Sequence, residues 1–195
     1  MKNIEDFYPL SPMQQGILFH ALYAPKSGVY CEQFSCSIHG DLNVLVFQRA
    51  WQQVVERYQI LRTAFVWEGL KEPVQLVHKQ VTLLWEQQDW RGLASVEQQK
   101  RMEAFLKVDR EQGFKLSQAP LMRLTLIQLA DNSYQFIWNR HHLLLDGWSS
   151  SIVFKEVFTF YKAFSQKEDL RLECPRSYRD YIAWLQQQDL SRAET

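Results

Sequence analysis

Residues 121–142 read LMRLTLIQLADNSYQFIWNRHH, and this stretch decides the fold. It contains two β-rich runs, 121–129 and 134–142, separated by the polar turn Asp131-Asn132-Ser133. Runs of this composition joined by so short a turn are expected to pair antiparallel as a hairpin. Helical and strand patterns interleave irregularly on both sides of the hairpin. The sequence therefore predicts an α/β or α+β layer fold rather than a regular parallel array.

The clearest helical pattern lies at 43–58, upstream of the hairpin. Its apolar residues recur at alternating steps of three and one, as in an amphipathic helix that faces a core. They are Phe47, Ala50, Trp51, Val54, Val55 and Tyr58.

An earlier helix is predicted at 12–22. Ser11 can cap it, Pro12 suits its first position, and Gln14 completes a capping box. Further helices are expected at 96–111, at 149–164 after the cap-competent Ser149, and from 178 onward. Strands are expected at 33–39, 61–67 and 74–77.

Composition excludes several function classes. The chain has 195 residues, of which 46% are hydrophobic, so it can bury a sizeable core. Lys and Arg together equal Asp and Glu at 22 each, which gives no electrostatic reason to expect nucleic acid or a membrane as partner. We find no apolar run approaching the roughly 20 residues of a membrane span and no signal peptide at the start, so a cytoplasmic protein is expected.

The segment most suited to chemistry is the histidine loop that follows the hairpin. Strand alternation places His142 and Arg140 on one face of the second run and His141 on the other, so the two histidines are expected to have different roles. A turn at 143–147 follows, and a helix begins near Ser149. Backbone N–H groups and the positive helix end there favour developing negative charge, which suits a reaction that forms an oxyanion.

Joining an amine to a thioester is a reaction of this kind, and it needs an acceptor for the proton of the amine. A neutral imidazole, with a pKa near roughly 6.5, can take that proton at cytosolic pH. Asp146 could act as the base, but its ordinary pKa near roughly 3.9 suits it better to hold the loop through a buried ion pair. Arg62 or Arg57 could supply the cation. Taken alone, the loop fits a core histidine and a loop-stabilising aspartate at least as well as a catalytic site.

Other kinds of site find little support. A metal site needs three or four ligands, and His20, His39 and His78 have no ligand spacing to the histidine pair. The three cysteines have no metal or redox spacing either, and we expect reduced thiols. No Gly-x-Ser-x-Gly elbow or phosphate-binding glycine loop is present.

Four segments, in order, resemble the successive core motifs of condensation domains of non-ribosomal peptide synthetases. They are LSPMQQGILFH at 10–20, RYQILRTAF at 57–65, NRHHLLLDGWS at 139–149 and YRDYIAW at 178–184. The resemblance covers essentially the whole chain and corresponds to about the first half of the family's domain, since the later motifs are absent.

The resemblance implies a chloramphenicol acetyltransferase-like fold, with a mixed sheet flanked by helices. Residues 1–175 would form the N-terminal subdomain, and 176–195 would begin the helix leading into the C-terminal subdomain. The implied reaction joins a donor peptidyl or aminoacyl thioester to an acceptor aminoacyl thioester. The implied partners are donor and acceptor peptidyl carrier proteins, an adjacent adenylation domain and the C-terminal subdomain. Phosphopantetheine arms would belong to the carrier proteins, so the chain would bind no cofactor or metal of its own.

The resemblance also implies roles within the loop. His142 would be catalytic, either as general base or by positioning the amine and stabilising the intermediate, and His141 would support it or take a minor part. Asp146 would pair with Arg62, and Gly147 would offer a backbone N–H near the reacting carbonyl. Trp148 and Ser149 would line the channel.

Two other functions stay open. The chain by itself could be a non-catalytic half-domain that binds carrier protein, which the missing later motifs favour. It could also be a related acyl-CoA-dependent acyltransferase, which the first and fourth motifs disfavour.

Overall fold

The computed structural model describes residues 3–24 and 28–188. The strands, in chain order, are β1 (Ile4–Pro9), β2 (Cys31–His39), β3 (Thr63–Val66), β4 (Val74–His78), β5 (Leu84–Asp89), β6 (Met122–Ala130) and β7 (Ser133–His141). The helices are α1 (Pro12–Tyr23), α2 (Val44–Arg57), α3 (Ser95–Gln112), α4 (Gly147–Ser165) and α5 (Tyr178–Gln186), with a short 3-10 helix at Gln59–Arg62. None of the helices in these two ranges is both long enough and apolar enough to cross a bilayer.

The described strands form two sheets. The larger has the order β2-β7-β6-β5, in which β6 and β7 are the predicted antiparallel hairpin and β5 runs parallel to β6. The smaller has the order β1-β4-β3 and is antiparallel throughout. The expected α/β fold with a mixed sheet flanked by helices is confirmed, and three strands lie in a sheet of their own.

The side chains of β7 divide the core into two layers. Trp138 faces α2 and α4, where its ring centroid lies 5.0 Å from Trp51 and 5.1 Å from Phe154. Ile137 faces the other way and packs with Trp90 and the apolar side of α3. Because neighbouring residues of a strand point to opposite faces, this division fixes which face each residue at the end of β7 occupies.

Two predicted boundaries have a clear local cause in the structure. Helix α1 begins with the complete capping box, since the Ser11 hydroxyl accepts the Gln14 N–H at 3.2 Å and the Gln14 side chain accepts the Ser11 N–H at 3.0 Å. The strand expected at 61–67 is shorter than predicted, because the 3-10 helix holds the chain as far as Arg62.

Candidate active site

The histidine loop leaves β7 at the predicted point and leads into α4. The His142 N–H still donates to the Tyr30 carbonyl at 2.9 Å, so pairing with the segment before β2 continues one residue past the strand. The next three residues, Leu143, Leu144 and Leu145, are all buried. Apolar burial therefore anchors the loop that follows the two histidines.

Asp146 caps α4 and is itself exposed. Its Oδ1 accepts the Ser149 N–H at 2.8 Å, and its carbonyl accepts the Ser150 N–H at 3.0 Å. Hydrogen bonding from Ser149 holds the pKa of the Asp146 carboxyl below its usual value. The prediction that Ser149 caps this helix is wrong, because the helix begins at Gly147 and Ser149 is the donor rather than the acceptor.

Arg62 does not pair with Asp146, contrary to expectation. Its Nη1 lies 2.7 Å from Glu5 Oε2 and also donates to the carbonyls of His78 and Lys79. The Arg62 side chain is only 6% exposed. Because β1 brings Glu5 beside the 3-10 helix, the buried cation finds its anion there, and Asp146 stays at the surface.

Arg57, the other candidate partner, is also committed elsewhere. Its Nε lies 2.9 Å from Glu156 Oε2 of α4, and its Nη1 donates to the Leu172 carbonyl at 3.3 Å. Tyr58 donates its hydroxyl to the same glutamate at 2.8 Å. Arg57 therefore holds α2, α4 and the segment before α5 together, and the expected ion pair with Asp146 is wrong for Arg57 too.

His141 is buried beneath the loop, with 4% of its surface exposed. Its Nδ1 accepts the Leu143 N–H at 3.2 Å, and the rings of Tyr30 and Phe114 flank it. Burial, together with the neighbouring His142, lowers the pKa of His141 to about 4. The ring is therefore neutral near pH 7 and its Nδ1 is occupied by the backbone, which fits a supporting role.

His142 lies on the opposite face and is the accessible histidine of the pair. Its side chain is 34% exposed, and its ring stacks on Tyr30 with centroids 6.4 Å apart and planes 12° apart. Its Nδ1 lies 2.7 Å from Glu32 Oε1. Glu32 cannot be recognised as a site residue from the sequence, because only the pairing of β2 with β7 brings it to this place.

The remaining predicted residues lie at the start of α4. Trp148 is 85% exposed, and Gly147 is exposed as well. Ser149 lines a cavity of about 580 Å³ together with Leu144, Leu145 and Tyr178. Gly147 is the first residue of α4. It therefore belongs to the first turn, in which the backbone N–H groups have no carbonyl partner within the helix.

Metal-binding side chains do not gather here. Within 3–24 and 28–188, no group of three or more His, Cys, Asp or Glu side chains is placed to hold a metal ion. The loop carries one accessible imidazole and leads into the N-terminus of α4, where N–H groups without helical partners favour negative charge.

Comparison with known proteins points to one family. The family model described as "Condensation domain" matches residues 4–195. The chain is 45% identical over 193 residues to a linear gramicidin synthase of Brevibacillus parabrevis, covering 99% of this chain and 2% of the relative. It is 40% identical over 192 residues to bacitracin synthase 3 of Bacillus licheniformis, covering 98% and 3%. The chain thus spans only a few per cent of these relatives.

The fold is also similar to those of solved structures. The starter condensation domain of rhizomide synthetase RzmA superposes with a TM-score of 0.83 at 22% identity, over 94% of this chain and 45% of that one. The first condensation domain of the calcium-dependent antibiotic synthetase superposes with a TM-score of 0.76 at 17% identity, over 86% and 40%. At these identities the likeness establishes the fold, and the chain spans under half of each solved structure.

Proposed function

The chain belongs to the condensation-domain family, and from that membership we propose that it is part of a domain that forms amide bonds between carrier-bound thioesters. The observation that carries this proposal is the pair of histidines at the end of β7. His142 is accessible and lies in the short segment between β7 and α4, while His141 is buried and neutral. One imidazole is thereby available for proton transfer, and the other fixes the loop.

The reaction requires the acceptor amine to attack the donor thioester carbonyl. The C–N bond forms as the carbonyl becomes an oxyanion, and His142 accepts the proton of the amine or holds the amine for attack. Collapse of the tetrahedral intermediate breaks the C–S bond, and the departing thiolate takes up the proton that the amine has lost. The N–H of Gly147, in the first turn of α4, faces the developing charge in this proposal.

Roles of the supporting residues follow from their contacts. Asp146 holds the first turn of α4 by capping it, and the buried His141 holds the loop through the Leu143 N–H. Arg62 and Arg57 support the site at a distance, by fixing β1 and α4 respectively. From the family resemblance alone, and not from any contact with His142, we propose that Trp148 and Ser149 line the channel.

The proposed partners are a donor and an acceptor peptidyl carrier protein, each presenting its substrate on a phosphopantetheine arm, and an adjacent adenylation domain. The solved RzmA domain is about twice as long as the matched region, which supports a C-terminal subdomain as a further partner. Residues 1–175 would then be the N-terminal subdomain, and 176–195 would lead into its partner. Within the latter segment α5 is described, and 189–195 lie outside the described residues.

The test is a single-turnover assay in which this chain is joined to the C-terminal half of the matching domain of the linear gramicidin synthase. Donor and acceptor carrier proteins, both loaded, are mixed with the wild type, with His142→Ala, or with the exposed control His39→Ala. We expect amide product from the wild type and the control, and a loss of about 100-fold or more in His142→Ala. Equal rates in all three would remove His142 from the mechanism.

The other two functions have their own outcomes. Carrier protein that binds without product from any variant would favour a non-catalytic half-domain. Product formed from a free CoA thioester and a soluble amine, with no carrier protein present, would favour an acyl-CoA-dependent acyltransferase.

A further inference from the structure

Glu32 of β2 lies where it can control the ring of His142. In the antiparallel pairing of β2 with β7, Glu32 is directly opposite Arg140. Strand alternation puts His142 on the same face as Arg140, so Glu32 is the diagonal neighbour of the histidine. The same face is confirmed further along β2, where Phe34 packs on Phe154 of α4 at 4.7 Å.

The Glu32 carboxylate uses its two oxygens on two different partners. Oε2 lies 2.6 Å from Nη2 of Arg140, and Oε1 lies 2.7 Å from Nδ1 of His142. The N–H groups are not aligned with these oxygens, so the contacts are close electrostatic pairs rather than linear hydrogen bonds. Catalytic contacts often straighten only when substrate binds.

Arg140 holds the carboxylate in place. Its side chain is only 9% exposed, and its guanidinium lies over the Trp138 ring at 4.4 Å from the centroid. A cation buried to this degree requires a neighbouring anion, and Glu32 is the one the structure pairs with it. The Arg140 guanidinium, which stacks on Trp138 and pairs with Glu32, therefore fixes the Glu32 carboxylate next to the His142 imidazole.

From this geometry we infer that Glu32 is a positioning residue for His142, an inference that rests on the proposed function. The carboxylate holds the proton of the neutral ring on Nδ1, which makes Nε2 the basic nitrogen that meets the amine. Tyr30, stacked against the ring, fixes its plane. His141 takes the opposite form, because its Nδ1 accepts the Leu143 N–H and its proton must therefore be on Nε2.

The first test measures the tautomer directly and does not depend on activity. Two-bond ¹H–¹⁵N spectra of the imidazoles are recorded on this chain at a pH where the ring is neutral, and the His142 signals are identified by their loss in His142→Gln. We expect the Nδ1-protonated form to predominate in the wild type. A predominant Nε2-protonated form in the wild type would overturn the inference.

The matched variant is Glu32→Leu/Arg140→Met, which removes both charges and so leaves no uncompensated buried cation to unfold the chain. We expect this variant to melt cooperatively by circular dichroism and to shift His142 toward the Nε2-protonated form. Unchanged tautomer populations in the folded double variant would contradict the inference. The single variant Glu32→Asp keeps Arg140 and a carboxylate on a shorter side chain. It should show more of the Nδ1-protonated form than the double variant.

The second test uses the amide-forming assay described above. Glu32→Leu/Arg140→Met should lower kcat about tenfold to a hundredfold with KM little changed, because binding is retained and proton transfer is impaired. Glu72→Gln, an exposed glutamate before β4, is the control and should match the wild type. If kcat stays at the wild-type value while the tautomer shifts, Glu32 has no positioning role. If no variant and no wild type forms product, amide formation fails as the function, and the tautomer spectra still decide what Glu32 does.

Discussion

The side-chain amide of Gln14 donates to the Leu143 carbonyl at 3.1 Å, and so joins the first turn of α1 to the loop after the two histidines. The same residue exchanges hydrogen bonds with Gln75 of β4 at 2.9 and 3.2 Å, and closes the capping box with Ser11. Both the smaller sheet and α1 are thus connected to the histidine loop through one buried side chain. The first and third motifs, distant in sequence, meet at this point.

Replacing Gln14 should therefore destabilise the whole chain. In Gln14→Leu the amide of Gln75 and the carbonyl of Leu143 lose a buried partner, and we expect the free energy of unfolding to fall by about 1–3 kcal/mol. Urea denaturation followed by tryptophan fluorescence measures it. Gln15→Leu, next in the chain and exposed, is the control and should change the free energy by less than about 0.5 kcal/mol. Equal effects of the two substitutions would contradict a special role for Gln14.

Asp146 should stabilise the folded chain as the cap of α4 and not as an ion-pair partner. Asp146→Ala removes the acceptor of the Ser149 N–H, and we expect it to lower the free energy of unfolding by about 1 kcal/mol. Asp146→Asn keeps an acceptor and should retain most of the stability. If Asp146→Asn lowered the free energy of unfolding as much as Asp146→Ala, the negative charge, and not the capping hydrogen bond, would be what stabilises the loop.

The charge of Asp146 gives its cap a pH dependence of defined sign. Its folded-state pKa is lowered, so the extra stability of the wild type over Asp146→Asn is fully present above the unfolded-state pKa of about 3.9 and is lost as the pH falls through the folded value. Urea titrations of both proteins between pH 7 and pH 3 measure the difference. A difference that grows on acidification would reverse this sign and exclude the proposed cause.

A double-mutant cycle distinguishes the two possible partners of Arg62. Since the arginine lies 2.7 Å from Glu5, the variants Arg62→Met and Glu5→Gln should be non-additive, with a coupling free energy of about 1 kcal/mol. Arg62→Met and Asp146→Asn should instead be additive within about 0.5 kcal/mol. Chemical denaturation of the single and double variants gives both coupling free energies. Coupling of Arg62 to Asp146 rather than to Glu5 would support the ion pair that the family resemblance implies.

His141 should make the chain sensitive to mild acid. Its folded-state pKa of about 4 lies below the unfolded value near 6.5, so the unfolded chain binds the proton first and stability falls as the pH drops through this window. We expect the wild type to lose on the order of 3 kcal/mol relative to His141→Gln between pH 7 and pH 4. His39→Gln, at an exposed site, is the control and should follow the wild type. Parallel curves for wild type and His141→Gln would show that this histidine is not buried as a neutral ring.

Elements with a strong local pattern were predictable from the sequence, and those that depend on distant pairing were not. Helix α2 spans Val44–Arg57 with Asn43 and Tyr58 as its caps, in agreement with the prediction of 43–58. Strand β5 reads LWEQQD and exposes most of its residues, so no alternation marks it before its parallel pairing with β6 is known. Strand β1 is likewise not predicted by its sequence pattern, and it carries Glu5, the carboxylate that pairs with Arg62.

The same distinction applies to the site. The order of strand, loop and helix around His141 and His142 follows from local composition. The ionic partners do not, because Glu5 and Glu32 reach the site only through the registers of β1 with β4 and of β2 with β7. A carboxylate can be recognised in a sequence, but the cation it will neutralise depends on strand pairing.

Among the strands of residues 3–24 and 28–188, β2 of the larger sheet is hydrogen-bonded to a neighbour on one side only, at β7. A slip of one residue in that pairing would turn every side chain of β2 to the opposite face and carry the Glu32 carboxylate away from the imidazole. Segments with fewer buried contacts open locally more readily than the core, and hydrogen exchange measures that opening. In the proposed reaction, the tautomer of His142 therefore depends on the pairing of an outer strand, so conditions that open β2 should slow amide formation without altering either histidine.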